Sequence, residues 1–477
     1  MKKMQLMTLA LGAGLVLAPA APASASPAEL ESAAVDAYLT RAWESTALPG
    51  MSVVVTYQGK VVHAAGYGRD AAGRPVTERT PMRVASLSKS FTAMAVMTLV
   101  EEGKLALDEP VVNRLPDFRM ADPRAEEITV RQLLNQTSGI SDATVDLGAA
   151  ESAPSLAGYV AELGSGKLAA DPGTRWAYSN ANYETAARLV EVAGGRRFGD
   201  YLKERVFEPL GMSGSAAGDP AVRPADGFNS LFGVWMARSE LRDFPYGGGA
   251  GGVVTNAADM GKWLISQTGR GRQLVGAESL AAMHAPSEVH DYGMGWGKQS
   301  VNGADMLVHA GNLFTYTAVE AIDPETGYGF AVMTNSAGLY DDTYDVLTGL
   351  VAMSQGDTPR VPGGDRQLIE VILGLVVLAA AGLGVLGVRR AGPWAARRAG
   401  RSGRRVALRL VPVLLPTVLL ALYPATISFL MNGRTITWEQ LTYHAAPLTI
   451  TLVVAAVAGL VTGLARLRAW RSVGSTR

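Results

Sequence analysis

Three long apolar runs near the C-terminal end constrain this chain more than any other feature. They cover residues 368–388, 406–430 and 445–465. A helix needs roughly 20 apolar residues to cross the hydrocarbon of a bilayer, and each run is long enough. Crossing segments must satisfy their own backbone hydrogen bonds, so three transmembrane helices are expected. Proline recurs in the second at Pro412, Pro416 and Pro424, and Gly459 and Gly463 give the third a spacing suited to close helix packing. Arg389, Arg390, Arg397, Arg398, Arg401, Arg404 and Arg405 separate the first two runs, and Arg466, Arg468 and Arg471 follow the third. Between the second and third stand only Arg434 and Glu439. Basic loops stay in the cytoplasm, so the loop 389–405 and the tail 466–477 are expected inside and everything before residue 367 outside. The N-terminus gives the same orientation independently. Lys2 and Lys3, a short apolar stretch over 9–17 and a small-residue site at Ala23-Ser24-Ala25 read as a secretory signal peptide over 1–25. The expected location is therefore the cell membrane, multi-pass, with membrane lipid as a partner and a large outer domain.

Composition excludes several classes of function. Lys plus Arg and Asp plus Glu both number 43, and this balance argues against a nucleic-acid partner. Cysteine is absent, which removes disulfides, thiolate metal sites, a cysteine nucleophile and lipid attachment through cysteine. Glu370, Arg409 and His444 lie near the ends of the apolar runs, where they reach the interface. Three helices without a charged midplane residue argue against a transporter.

The outer segment, 26–357, changes period along its length. Two β-branched runs around Gln58-Gly59-Lys60 predict a hairpin. Mostly helical patterns follow from Ser86 to about Gln273, with stops at Gly103 and Gly194-Gly195. Beyond Tyr292 the pattern is strand-like again. A last amphipathic helix precedes a Pro/Gly linker, 358–367, leading to the membrane region 368–465. The expectation is an α+β fold: an antiparallel sheet flanked by helices, with a mostly helical lobe inserted in it, followed by three transmembrane helices.

Chemistry concentrates at Ser86-Leu87-Ser88-Lys89. Positions three apart share a helix face, so Lys89 stands one turn from Ser86. A serine needs a base within hydrogen-bond reach, and a buried lysine of lowered pKa can supply it. A helix start also places the hydroxyl near the positive end of the dipole. Further along come Tyr178-Ser179-Asn180 and then His309-Ala310-Gly311, the latter preceded by Tyr292-Gly293-Met294-Gly295-Trp296-Gly297. Together with Thr137-Ser138-Gly139 and Gly251-Gly252-Val253-Val254-Thr255, these motifs resemble the serine β-lactamase and penicillin-binding protein superfamily. Their order, S-x-x-K, Y-x-N and K/H-x-G, is similar to its class C β-lactamase, DD-peptidase and esterase branch.

The resemblance implies roles. Ser86 is the acylated nucleophile, Lys89 helps activate it, and Tyr178 relays the proton. Asn180, His309 and Gly311 belong to substrate binding, with His309 a donor to a substrate carboxylate or carbonyl. The oxyanion hole is the backbone N–H of Ser86 and that of Asn312. The implied function is an extracytoplasmic serine hydrolase acting on a cell-wall peptide, a wall-polymer ester or a small ester, without cofactor or metal. The chain departs from the branch at His309, where β-lactamases usually carry lysine, and in the run Asn312-Leu313-Phe314-Thr315. These departures speak against efficient β-lactam hydrolysis. The alternative is an inactive membrane-bound sensor or wall-binding module that keeps the pocket.

Overall fold

The computed structural model describes residues 29–475 apart from 242, 243, 245, 432 and 433. The expected signal peptide, 1–25, lies outside the described residues.

Six antiparallel strands form the central sheet: β1 (Gly50–Tyr57), β2 (Lys60–Gly68), β3 (Gly297–Val301), β4 (Ala304–Asn312), β5 (Thr317–Asp323) and β6 (Tyr328–Thr334). Their order across the sheet is β2-β1-β6-β5-β4-β3. The first two strands and the last four are separated in sequence by the inserted, mostly helical lobe. Gln58 and Gly59 turn the first hairpin with φ of 47° and 81°, the left-handed conformation that short hairpin turns require.

Alternation along the strands serves two cores. Val53 and Val55 of β1, Val319 of β5 and Val332 of β6 pack against Val35, Tyr38 and Leu39 of α1 (Ser32–Thr46) and Leu350 of the C-terminal helix Asp342–Ser354. Val54, Ala318 and Met333 face the other way, onto the helical lobe. That side carries α2 (Ser88–Glu101), α3 (Asn180–Gly194) and α4 (Ala257–Gln267). The stack of Phe91 on Trp263, centroids 4.1 Å apart, ties α2 to α4. One of the lobe's short helices, Val130–Leu134, starts in a full capping box, in which Thr129 and Gln132 bond each other's backbone N–H groups.

Among the described residues, three further helices are long and apolar enough to cross a membrane: α5 (Asp365–Arg389), α6 (Gly403–Leu430) and α7 (Ala446–Ser475). Gly384 of α5 lies against Ala458 of α7, and Gly459 of α7 against the Val413 carbonyl of α6, where a side chain would overlap the neighbour. The segment expected as a linker, 358–367, ends in a packed joint. Arg366 is buried and donates to Asp342 at 3.0 Å, to Ser230 at 2.8 Å and to the Thr46 carbonyl at 2.8 Å, with Trp235 under its guanidinium. Glu370, one turn on, accepts from the backbone N–H of Gly233.

Candidate active site

The start of α2 is built to present one hydroxyl. Ala85 holds φ at 49°, a conformation costly for a residue with a Cβ, and it begins a single 3-10 turn, Ala85–Leu87. Ser86 therefore sits in that turn, just ahead of the α-helix rather than in its first turn as the sequence suggests. Strand β4 runs directly against the turn. A Cβ on Gly311 would overlap the Val84 carbonyl oxygen and come within 2.9 Å of the Ser86 nitrogen, so only glycine lets strand and turn meet. Gly295 makes a second close approach, to the Ser90 and Lys89 backbone, with φ of 81°.

Ser86 Oγ is 2.9 Å from Lys89 Nζ and 2.9 Å from the Tyr178 hydroxyl. Lys89 is fully buried and donates also to Asn180 Oδ1 at 3.0 Å and to the Ala250 carbonyl at 2.8 Å. Burial holds the Lys89 ammonium below the usual lysine range. Burial alone would raise the Tyr178 phenol, but the Lys89 and Arg434 cations outweigh it and keep it below its ordinary value.

Tyr178-Ser179-Asn180 is placed by the lobe. Ser179 caps α3, accepting from Ala181 N, while Asn180 is the first helical residue and turns its oxygen to Lys89. Gln136, buried at φ of 64°, takes the Ser179 N–H at 3.1 Å and the Asn182 amide at 2.6 Å. Ser138 donates to Asn182 Oδ1 at 2.6 Å. The Thr137-Ser138-Gly139 motif is thus the bed on which the second motif lies.

His309 on β4 is buried and committed. Its Nδ1–H donates to the Ala310 carbonyl at 2.9 Å, which leaves Nε2 to accept from the Tyr292 hydroxyl at 3.0 Å. Burial, and then the nearby Lys89, push its pKa down to about 3. Both nitrogens being engaged inside the protein, the role expected of His309 as a donor to substrate has no free N–H to rest on. Asn312, at the end of β4, is exposed at the rim beside the turn that carries Ser86.

Two features of the site were not assigned a role from the sequence. The glycine-rich stretch before Val253 is a wall of the site. Glu184 of α3 accepts from the Gly249 and Ala250 N–H groups at 2.9 and 3.2 Å, and Thr92 donates to the Gly249 carbonyl at 2.7 Å. The second is Arg434, between α6 and α7, whose guanidinium lies 5.0 Å from the centre of the Tyr178 ring. Among the described residues no group of three or more His, Asp or Glu is placed to hold a metal ion.

Comparison with known proteins identifies the family. Residues 35–351 match the family model described as Beta-lactamase. The chain is 26% identical over 303 residues to protein flp of Staphylococcus aureus (strain N315), and the match spans 60% of each chain. Among solved structures, it is similar to an octameric penicillin-binding protein homologue from Pyrococcus abyssi, with TM-score 0.60, 27% identity and coverage of 73% of this chain and 81% of that one. It shares the fold of a D-amino acid amidase from Ochrobactrum anthropi SV3, with TM-score 0.55, 24% identity and coverage of 68% and 96%. The family match takes in S-x-x-K, Y-x-N and H-x-G alike, in the fold that brings the first two together around Ser86, and by that match this chain belongs to the Beta-lactamase family.

Proposed function

We propose that the chain is a membrane-anchored serine hydrolase. Its catalytic domain, 26–357, lies outside the cell membrane and works through an acyl-enzyme on Ser86. The observation that carries this reading is the meeting of Lys89 Nζ and the Tyr178 hydroxyl on one Ser86 oxygen, each at 2.9 Å. Lys89 spends three donors on three acceptors, the pattern of an ammonium, so Tyr178, once in its phenolate form, is the group that takes the Ser86 proton. As that proton leaves, Oγ bonds to the substrate carbonyl carbon and the carbonyl oxygen becomes an oxyanion. The backbone N–H groups of Ser86 and Asn312 receive it, and one such donor is worth about 2.7–4 kcal/mol. Tyr178 then returns the proton to the departing amine or alcohol, leaving the Ser86 ester. Water, deprotonated by the same phenolate, attacks the ester carbonyl carbon; the bond to Ser86 Oγ breaks, Tyr178 returns the proton to that oxygen, and the acid leaves.

The Asn180 amide N–H donates to the bound substrate, while its oxygen holds Lys89. His309 supports the site through Tyr292 instead of binding substrate directly. The substrate is an ester or amide of the kind named in the relatives, a D-amino-acid amide or peptide, or a wall-polymer or small ester. The orientation is supported by the basic stretch 389–405 and by the joint at Arg366. Helix α5 is 25 residues long, so this stretch lies roughly 38 Å from the catalytic domain. Hydrolysis assays with D-amino-acid amides, nitrophenyl esters and β-lactams test the reading. Turnover of at least one amide or ester, lost in Ser86→Ala, is expected. Tight binding without turnover or covalent adduct would instead identify a sensor or binding module.

A further inference from the structure

The connection between α6 and α7 does more than reverse the chain. It touches both sides of the cleft around Ser86. On the lobe side, Arg434 Nε lies 3.4 Å from Asp142 Oδ2, and Thr435 donates to the Asp142 carbonyl at 3.0 Å. On the sheet side, Tyr443 meets Phe314 edge-on and His444 lies tilted against it, with centroids 5.3 and 5.6 Å away. Arg238 donates to the Thr442 carbonyl at 2.8 Å and lies over the Tyr443 ring. Phe314 belongs to the run after Gly311 that departs from the branch pattern, and here that departure seats the membrane connection. Arg434 is four residues past Leu430, the end of α6, so at most about 14 Å of chain separates it from a membrane-spanning helix.

We propose that this connection is a built-in wall of the active site and that Arg434 is a positioning residue for Tyr178, a cation that the membrane segment lends to the hydrolase chemistry. The inference rests on the hydrolase reading above. Arg434 does not touch the reacting atoms. It acts through the charge of the Tyr178 oxygen: a nearby cation favours the phenolate form of Tyr178, the form that can take the Ser86 proton. Four observations support this. The guanidinium faces the Tyr178 ring at 5.0 Å. Among the described residues its two terminal nitrogens make no hydrogen bond, so they are not spent elsewhere. Its Asp142 partner is buried and holds the arginine over the site through Oδ2, while Oδ1 has no hydrogen-bond partner among the described residues. The other groups facing Tyr178 among the described residues do not replace it: Lys89 is a further cation already bound to Ser86, His309 is neutral, and burial pushes Tyr183 and Tyr292 above the usual phenol range.

The test uses the full chain in detergent or nanodiscs and the rate of Ser86 labelling by a fluorophosphonate. The rate is followed from about pH 6 to about pH 10, across the His and Tyr reference values. Removing the cation in Arg434→Gln should slow labelling roughly tenfold near neutrality, move the rising limb up by about one unit, and let the rate recover at high pH. Arg434→Lys should keep most of the wild-type profile. Asp142→Asn, which removes the compensating anion, should move the limb down, a direction that loss of packing would not produce. An Arg434→Gln profile equal to wild type, or a loss uniform in pH and shared by the lysine variant, overturns the inference. So does an Asp142→Asn limb that stays in place, which keeps the test decisive if the glutamine variant does not fold. A wild type that never labels overturns the hydrolase reading itself and is distinguished by that control.

Discussion

Gly311→Ala is a small change with a large expected effect. The added methyl would overlap the Val84 carbonyl oxygen and stand 2.9 Å from the Ser86 nitrogen and 3.0 Å from Ala85 Cβ. Ordinary contact begins near 3.4 Å, so relief at the Ser86 nitrogen alone needs about 0.5 Å, and the Val84 oxygen asks for about twice that. The turn cannot absorb the shift cheaply, because Ala85 is already held at positive φ. Strand β4 must therefore move away, and with it the Asn312 N–H proposed above as an oxyanion donor. A misplacement of about 1 Å at a reacting centre costs about 10²-fold, and this is the fall expected in the acylation rate. Fluorophosphonate labelling kinetics measure it, with thermal unfolding as the check that the domain still folds. Gly297→Ala is the control, since a Cβ there meets nothing nearer than 3.5 Å. Gly311→Ala labelling at the wild-type rate would refute the claim that strand β4 and the Ser86 turn are pinned at this contact.

Lys89→Met should slow acylation by about 10²–10⁴-fold, because it removes the charge beside Tyr178 and leaves Asn180 Oδ1 and the Ala250 carbonyl without their donor; labelling kinetics check it. Glu184→Gln cannot accept from both the Gly249 and Ala250 N–H groups, so it should lower stability by about 1–3 kcal/mol in denaturant titration and slow acylation as well. His309 is depressed from 6.5 to about 3, so it stays neutral in the folded state while the unfolded chain protonates. Its contribution to stability is therefore present above pH 6.5 and drains as pH falls toward about 3, and His309→Gln should flatten melting temperature against pH over that window. For the same reason KM should show no inflection near pH 6.5, and one that vanishes in His309→Gln would contradict the committed, neutral histidine.

Local features of this protein were legible in its sequence where the physics is local. The spacing of Ser86 and Lys89 places them together on any helical turn, and Lys89 Nζ does reach Ser86 Oγ. The hairpin at Gln58-Gly59 and the three apolar helices follow from period and length; the bounds of the first two helices moved by at most three residues, while the third continues ten residues past its apolar run, to Ser475. What escaped was set by contacts distant in sequence. The edge strand Gly297–Val301 exposes three of its five residues and so carries no apolar alternation. The hairpin of Gly227–Leu231 and Val234–Arg238 escaped for a similar reason: its outer strand is largely exposed. His309 reads as a free donor in its motif, yet its Nε2 is taken by Tyr292, 17 residues earlier. The positive φ of Ala85 has no compositional mark, since alanine rarely adopts it. Arg434 stood out only as the lone base between two apolar runs, and 256 residues separate it from the tyrosine it faces, a pairing that no local pattern encodes.

The central claim is that Ser86 becomes covalently acylated. Intact mass of the full chain in detergent, taken after brief exposure to a reactive ester, a D-amino-acid amide or a fluorophosphonate, tests it most directly. The account predicts a mass increase of one acyl or phosphonyl group, mapped by peptide fragmentation to the segment bearing Ser86 and absent in Ser86→Ala. An adduct on another residue, or undiminished turnover of the same substrate by Ser86→Ala, would contradict it.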